Sequence, residues 1–259
     1  MGALHEGHAA LIRRARRAAG AKGSVVVSIF VNPMQFGPRE DFTHYPRTFV
    51  ADRSLCLREG VDLLFHPSAE EMYEGDHSVT VSEGMLSKGL CGATRPGHFD
   101  GVCTVVSMLF QIIRPDIAIF GEKDWQQLAI IRRMVRDLKM SLKIVGHTTV
   151  REEDGLALSS RNRRLTPAQR RVAPRIHQAL MAAAMEREAG ELSVAKIRRR
   201  LIADLAAIPG AAVDYAEIVD EETLCPLKKL DEHPSVRALV AVRLGSIRLI
   251  DNIELSPHH

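Results

Sequence analysis

Between Ser24 and Val150 short runs of β-branched and apolar residues alternate with amphipathic stretches, and this alternation constrains the fold more than any other feature. Strands buried on both faces read as near-continuous apolar runs, and parallel neighbours need a crossover between them. The pattern therefore predicts a parallel sheet covered by helices. Ser24 to Val31, Val61 to Phe65, Asp116 to Phe120 and Leu142 to Val145 are the expected strands. Leu11, Ile12, Ala15, Ala18 and Ala19 recur at helical spacing before Gly20, as do Val102, Val105, Val106, Leu109, Ile112 and Ile113 before Pro115. Beyond Val150 the character changes. An acidic, glycine-bearing loop and an arginine run lead into alanine-rich helices over 167–188 and 194–207, then three alternating strands over 213–219, 237–242 and 247–250. The expected architecture is α/β: a Rossmann-like doubly wound parallel sheet over residues 1–149, followed by a smaller α+β domain over 150–259.

A length of 259 residues suits one larger and one smaller domain, and 46% hydrophobic with 26% charged residues excludes disorder as the main theme. No stretch approaches the roughly 18 uninterrupted apolar residues of a membrane span. The first twenty residues carry Glu6 and four arginines where a signal peptide has its apolar region, so a cytoplasmic address is expected. Cys56, Cys91, Cys103 and Cys225 lie far apart with no C-x-x-C pair; reduced thiols are expected, not a disulfide framework or zinc ribbon. Net charge is +3, compatible with a small anionic ligand. Basic clusters at Arg13 to Arg17, Arg161 to Arg164 and Arg198 to Arg200 raise a nucleic-acid module as an alternative. Aromatic residues make up only 5%, and charged helix faces are usually just solvated, so neither nucleic acid nor membrane is the expected partner.

Four segments carry candidate chemistry. His5-Glu6-Gly7-His8 sits at the start of a helix, with Gly2 and Gly7 permitting close approach of a ligand to the backbone. Unsatisfied helix N–H groups and two imidazoles suit a phosphate and the charge that develops on it. The zinc reading fails on spacing, because H-E-x-x-H places its histidines four apart and these are three apart. A simple helix cap remains the plain alternative. The second segment, Asn32-Pro33-Met34-Gln35-Phe36-Gly37, follows a strand, with Glu40-Asp41 and Tyr45-Pro46-Arg47 beyond. Ligands in parallel sheets bind past the carboxyl ends of strands, and uncharged Gln35 can hold a hydroxy acid without repelling its carboxylate; satisfying the turn's own backbone is the competing role. Third is Gly121-Glu122-Lys123-Asp124-Trp125-Gln126-Gln127, where Lys123 suits a phosphate, Asp124 an N-cap or metal, and Gln127 lies one turn on; a capped helix with a solvated lysine is the alternative. The fourth, Val150 to Asn162, combines Ser159, Ser160, backbone amides and Arg161 in the manner of a polyphosphate lid. Neither a P-loop nor G-x-G-x-x-G is present, which disfavours P-loop kinases and dinucleotide dehydrogenases.

Read together, MGALHEGH, FVNPMQF, EDFTHYPR, RPGHFDGV, RPDIAIFGEKDWQQL and REEDGLALSSRN, in that order, closely resemble the pantothenate synthetase (pantoate–β-alanine ligase) family of HIGH-motif nucleotidyltransferases. The resemblance covers nearly the whole chain. It implies ATP-dependent condensation of (R)-pantoate with β-alanine through a pantoyl adenylate, releasing pyrophosphate and AMP. By the same resemblance Met1, Gly2, Ala3, Leu4, His5, Glu6, Gly7 and His8 bind ATP, and His8 acts as proton donor. Gly121, Glu122, Lys123, Asp124, Val150, Leu158, Ser159, Ser160 and Arg161 complete that site, with Leu158 where the family commonly has Met. Gln35 contacts pantoate and β-alanine, and Gln127 contacts pantoate. His5, His8, Lys123, Ser159, Ser160 and Arg161 are the donors suited to the transition state. Mg²⁺ bridging ATP oxygens and a homodimer are further implications. Relatives also carry an apolar strand before MGALHEGH, so the first strand of the sheet is expected to be missing here, through an internal start or a truncation that impairs activity. Another HIGH-motif nucleotidyltransferase is the alternative, distinguished by lacking the paired glutamines Gln35 and Gln127.

Overall fold

The computed structural model describes residues 2–37, 42, 46–230 and 235–255. Met1, Glu40, Asp41 and Tyr45, named above, lie outside the described residues. Two compact units divide the chain: Met1–Lys88 with Gly92–Glu122 and Gln127–Thr148, and Gly89–Cys91 with Lys123–Gln126 and Thr149–His259.

Along the first part of the chain run α1 (Glu6–Ala19), β1 (Val26–Ser28), α2 (Phe49–Arg58), β2 (Leu63–Phe65), α3 (Ala69–Met72), α4 (Cys91–Thr94), α5 (His98–Ile113), β3 (Ile117–Gly121), α6 (Trp125–Asp137) and β4 (Lys143–His147). The expected parallel layer is present as two two-stranded ladders, β1 with β2 and β3 with β4, in registers Val27↔Leu64 and Ile119↔Val145. Only three residues of the long apolar run from Ser24 pair as strand. The ladder is extended at its ends, where Val25 O accepts from Asp62 N (3.0 Å) and Leu63 N (3.3 Å), and Ile29 N donates to Phe65 O (2.8 Å). α1 stops where Gly20 takes φ +64 and returns its N–H to Arg16 O, a conformation that glycine adopts without steric cost. α5 stops at Arg114, itself left-handed at φ 50, immediately before Pro115. α1 packs on β3. Leu4, Ile12, Val25, Val27, Ile29 and Cys56 close over one another as an apolar core.

In the second unit the alanine-rich stretch is two helices, α7 (Pro167–Val172) and α8 (Arg175–Glu188), because Pro174 offers no N–H to continue the ladder. α9 (Val194–Ala206) follows, then the antiparallel sheet β5 (Ala211–Asp220), β6 (Val236–Leu244) and β7 (Ile247–Glu254), ordered β5-β6-β7. Helix residues Ile176, Leu180, Ile197, Leu201 and Leu205 bury one face of this sheet with Ala238, Val240, Val242 and Leu249. The β5–β6 register shifts between Val213 and Tyr215, leaving Asp214 as the extra residue of a bulge. Its carboxylate accepts from Arg243 Nε at 2.9 Å and Arg248 Nε at 2.7 Å. Among the described residues no helix is long and apolar enough to cross a membrane.

Candidate active site

The candidates are shared between the units: Gly2 to His8, Gln35, Gly121, Glu122 and Gln127 belong to the first, and Lys123, Asp124, Val150 and Leu158 to Arg161 to the second. In the first unit His5 is the N-cap of α1 and His8 its third residue. Their rings stand 4.1 Å apart between centroids, and His5 N donates to His8 Nδ1 at 3.3 Å. Glu6 and Gly7 occupy the first turn, with Glu6 exposed and both imidazoles partly accessible.

What delivers this helix start is a residue that motif reading passed over. Ala3 is left-handed, φ 49, a conformation that costs a residue bearing a Cβ about 1–2 kcal/mol. Buried Asp52 on α2 offsets that cost: its Oδ2 accepts from Ala3 N at 3.0 Å and its Oδ1 from Leu4 N at 2.7 Å. Thr48 Oγ1 donates to the same Oδ1 at 3.0 Å. The buried positions of α2 are Asp52 and Cys56, one turn apart, a face that the helix sequence does not mark, since its apolar Phe49, Val50 and Leu57 are exposed. Burial, with Asp52 as the second cause, pushes the Cys56 thiol up.

Gln35 ends a 3-10 turn over Pro33–Gln35. The backbone of this turn is served by Asn32: its Oδ1 accepts from Met34 N (3.2 Å) and Tyr73 OH (2.7 Å), and its Nδ2 donates to Gly101 O (2.9 Å). Burial pushes the Tyr73 phenol up to about 12, which keeps it a donor. From the other side His98 Nδ1 lies 2.8 Å and Arg95 NH2 3.3 Å from the Gln35 carbonyl, so both donate to it. His98 Nε2 then faces Arg95 NH1 at 2.9 Å as the acceptor, which fixes the imidazole tautomer. A Cβ on Gly101 would stand 2.5 Å from Met34 O, so only glycine lets α5 approach this turn. RPGHFDGV thus acquires a structural role: Arg95, His98 and Gly101 seat Gln35. Gln127 lies partly buried on α6. Its neighbour Gln126, in the second unit, is a brace: its Oε1 accepts from Cys91 N and its Nε2 donates to Gly89 O, each at 2.9 Å.

Lys123 occupies a 3-10 turn over Glu122–Asp124, following Gly121 at the end of β3. Its Nζ stands 3.8 Å from Asp124 Oδ1, and its side chain is 20% exposed, open enough to meet a ligand. The main-chain carbonyl of Lys123 accepts from Asn252 Nδ2 at 3.0 Å. The segment from Val150 folds back on itself: Leu158 N donates to Val150 O (3.0 Å), Arg151 bridges Ala157, and Glu152 N donates to Leu156 O (2.8 Å). Gly155, φ +91, makes the reversal, and a Cβ there would meet the His177 ring at 2.8 Å. Ser159 caps the following 3-10 turn, its Oγ accepting from Arg161 N at 3.2 Å, which leaves the hydroxyl proton available for donation. Ser160 is buried, and Asn162 Nδ2 ties the loop to Glu152 (2.8 Å) and Ala157 O (3.0 Å). Arg170 grips the same loop through Glu152 at 2.6 Å and Asp154 at 2.5 Å, which holds the Asp154 carboxyl below the usual range. Among the described residues no three His, Cys, Asp or Glu side chains gather as metal ligands.

A family model described as pantoate-beta-alanine ligase matches residues 1–254. The pantothenate synthetase of Akkermansia muciniphila is 52% identical over 255 residues, covering 98% of this chain and 90% of the relative. That of Thermotoga neapolitana is 52% identical over 252 residues, 97% of this chain and 88% of the relative. The crystal structure of pantothenate synthetase from Thermus thermophilus aligns with a TM-score of 0.94 at 49% identity, over 99% of this chain and 91% of that one. The pantoate-beta-alanine ligase of Francisella tularensis, in complex with beta-gamma ATP and beta-alanine, aligns with a TM-score of 0.78 at 33% identity, over 98% and 87%. With helix start, glutamine turn, lysine turn and serine loop falling within one continuous match, the chain belongs to the pantoate-beta-alanine ligase family.

Proposed function

We propose that this chain condenses (R)-pantoate with β-alanine at the expense of ATP, yielding pantothenate, AMP and pyrophosphate. The observation that carries the reading is the family match over residues 1–254. In the first step a pantoate carboxylate oxygen bonds to the α-phosphorus as the bond to the β-phosphate oxygen breaks, and pyrophosphate leaves. In the second the neutral amine of β-alanine attacks the acyl carbon, AMP departs with the bonding pair, and the amine proton is lost. Negative charge grows on phosphoryl oxygens in the first step, so placed donors are what catalysis needs. His5 and His8 at the start of α1, Lys123, Ser159, Ser160 and Arg161 are assigned that role, His8 also as proton donor. Gly2, Ala3, Leu4, Glu6, Gly7, Gly121, Glu122, Asp124, Val150 and Leu158 line the nucleotide by this reading, with Gln35 on both acids and Gln127 on pantoate. Mg²⁺, when bound, would be held mainly by ATP phosphates and water and would neutralise phosphate charge. A cytoplasmic homodimer, with residues 150–259 as a lid domain, belongs to the same proposal.

The test is AMP release with pantoate, ATP and β-alanine, omitting each in turn. Sustained AMP release requires all three. Turnover without pantoate, or none with the complete set, overturns the reading, and light scattering checks the dimer.

A further inference from the structure

β7 carries two buried polar residues side by side, Asp251 and Asn252, 5% and 4% exposed. Successive residues of a strand face opposite sides, and these two reach different parts of the second unit. Asp251 interrupts an apolar row in which Ile247, Leu249, Ile253 and Leu255 pack with the helix-side core. Its carboxylate accepts from Arg151 through two N–H groups at 2.7 and 3.0 Å and from Asn252 N at 2.8 Å. Arg151 also donates to Gly155 O at 3.1 Å and bridges Ala157, so it pins the fold-back that presents Leu158 to Arg161. On the other face, Asn252 Nδ2 donates to Lys123 O at 3.0 Å while its Oδ1 accepts from Arg237 NH1 at 2.8 Å. Arg237 is fixed in turn by Glu221 at 2.7 Å and by the Trp125 ring, whose centroid lies 3.6 Å from its guanidinium carbon. Trp125 Nε1 donates to Glu221 O at 3.2 Å, which closes the circuit. With a cation before its oxygen and a carbonyl before its nitrogen, the Asn252 amide has one orientation.

We propose that Asp251 and Asn252 are a positioning pair for adenylate formation: from opposite faces of one strand they hold the two segments carrying Ser159 to Arg161 and Lys123. The inference rests on the function proposed above. Both residues are buried and their side chains bond protein groups. Buried polar groups stabilise a strand no better than apolar ones of similar volume, and often less well, so what these two contribute is placement.

Asn252→Asp is the test, because it keeps size and the acceptor toward Arg237 but turns an acceptor toward Lys123 O. Single-turnover formation of pantoyl adenylate is expected to slow about 10–100-fold, in the range of lost supporting contacts around a reactive centre. Added pantoyl adenylate and β-alanine are still expected to react at the parental rate, with an unchanged circular dichroism spectrum. On a Lys123→Ala background the same substitution is expected to add less than about twofold, since coupled residues are not additive. Parental adenylation by Asn252→Asp, equal loss in both half-reactions, or a fully multiplicative loss on the Lys123→Ala background overturns the inference. An inactive parent overturns the functional reading instead. Should Asn252→Asp fail to fold, Asn252→Ser, too short to span both partners, is read by the same ratio of half-reactions.

Discussion

In the first unit a buried carboxylate, Asp52, serves main-chain amides; in the second a buried carboxylate, Asp251, serves a guanidinium. Both hold a segment with residues assigned to the nucleotide, Gly2 to His8 in one case, Val150 and Leu158 to Arg161 in the other. Their electrostatics differ. Around Asp52 the N–H groups of Ala3 and Leu4 and the Thr48 hydroxyl are neutral donors to one anion. Around Asp251 two opposite charges have left water together, with the Arg151 side chain 20% and the Asp251 side chain 4% exposed. A neutral donor set loses stability bond by bond when trimmed, whereas half of a buried ion pair leaves an uncompensated charge.

The largest effect is therefore expected from Arg151→Met, which strands the Asp251 carboxylate and lowers unfolding free energy by about 3–5 kcal/mol, read from the urea midpoint. Adding Asp251→Leu removes the stranded charge and is expected to restore most of that loss without restoring adenylate formation. Recovery of both would reduce the ion pair to a device of stability alone. Next comes His8→Ala, expected to slow adenylate formation about 10²–10³-fold with little change in melting temperature, as for the loss of one placed donor. Near-parental single-turnover formation would remove His8 from the chemistry. Asp52→Ala follows: the Ala3 and Leu4 amides lose their acceptor, at about 2–3 kcal/mol by urea denaturation. Asp52→Asn, which keeps one acceptor oxygen, is expected to lose about half as much. Losses as large as those of Arg151→Met would erase the distinction between the two carboxylates.

How far these arrangements were legible follows from where the partners lie in the chain. The parallel strands show because Val25 to Val27 and Ile117 to Ile119 are apolar runs, a local signal, and the Rossmann-like α/β class with a smaller antiparallel module follows from them. The helix start at His5 to His8 was legible for the same reason, its cap and third residue being adjacent in sequence. The break in the 167–188 helical stretch was written at Pro174, a signal weaker than the run of alanines around it. The supports were hidden. Asp52 meets Ala3 across 49 residues, Arg151 meets Asp251 across 100, and Asn252 meets Lys123 across 129. No spacing rule reaches that far. What a sequence can show is an anomaly in a regular pattern, such as the aspartate in the apolar row of β7; α2, with Phe49, Val50 and Leu57 exposed, offers no such row around Asp52. Asn32 and Gln126 teach the complementary lesson, since each stands beside an expected substrate contact and serves backbone instead.

The smallest expected effect sharpens the comparison through pH. His177 on α8 places Nδ1 3.9 Å from Asp251 Oδ2, with its side chain 19% exposed. Burial lowers its pKa, the Arg151 charge lowers it further, and Asp251 pulls the other way without prevailing. The folded protein therefore keeps this imidazole neutral at pH values where the unfolded chain, near the ordinary value of about 6.5, takes up a proton. In that window the unfolded state binds more protons, so stability rises with pH. The contribution is complete above the unfolded pKa and is lost as pH falls toward the folded one. His177→Gln is expected to flatten the fall in urea midpoint between about pH 7 and pH 5 relative to the parent, in keeping with that assignment. Arg151→Met, which deletes the second cause of the lowered pKa but leaves burial in place, is expected to flatten the fall in part, because Asp251 then raises the imidazole pKa with no cation opposing it. Parallel pH profiles for parent, His177→Gln and Arg151→Met would show that the second unit's ion pair sets no charge state beyond its own. The two buried carboxylates would then differ only in the stability that each partner set supplies.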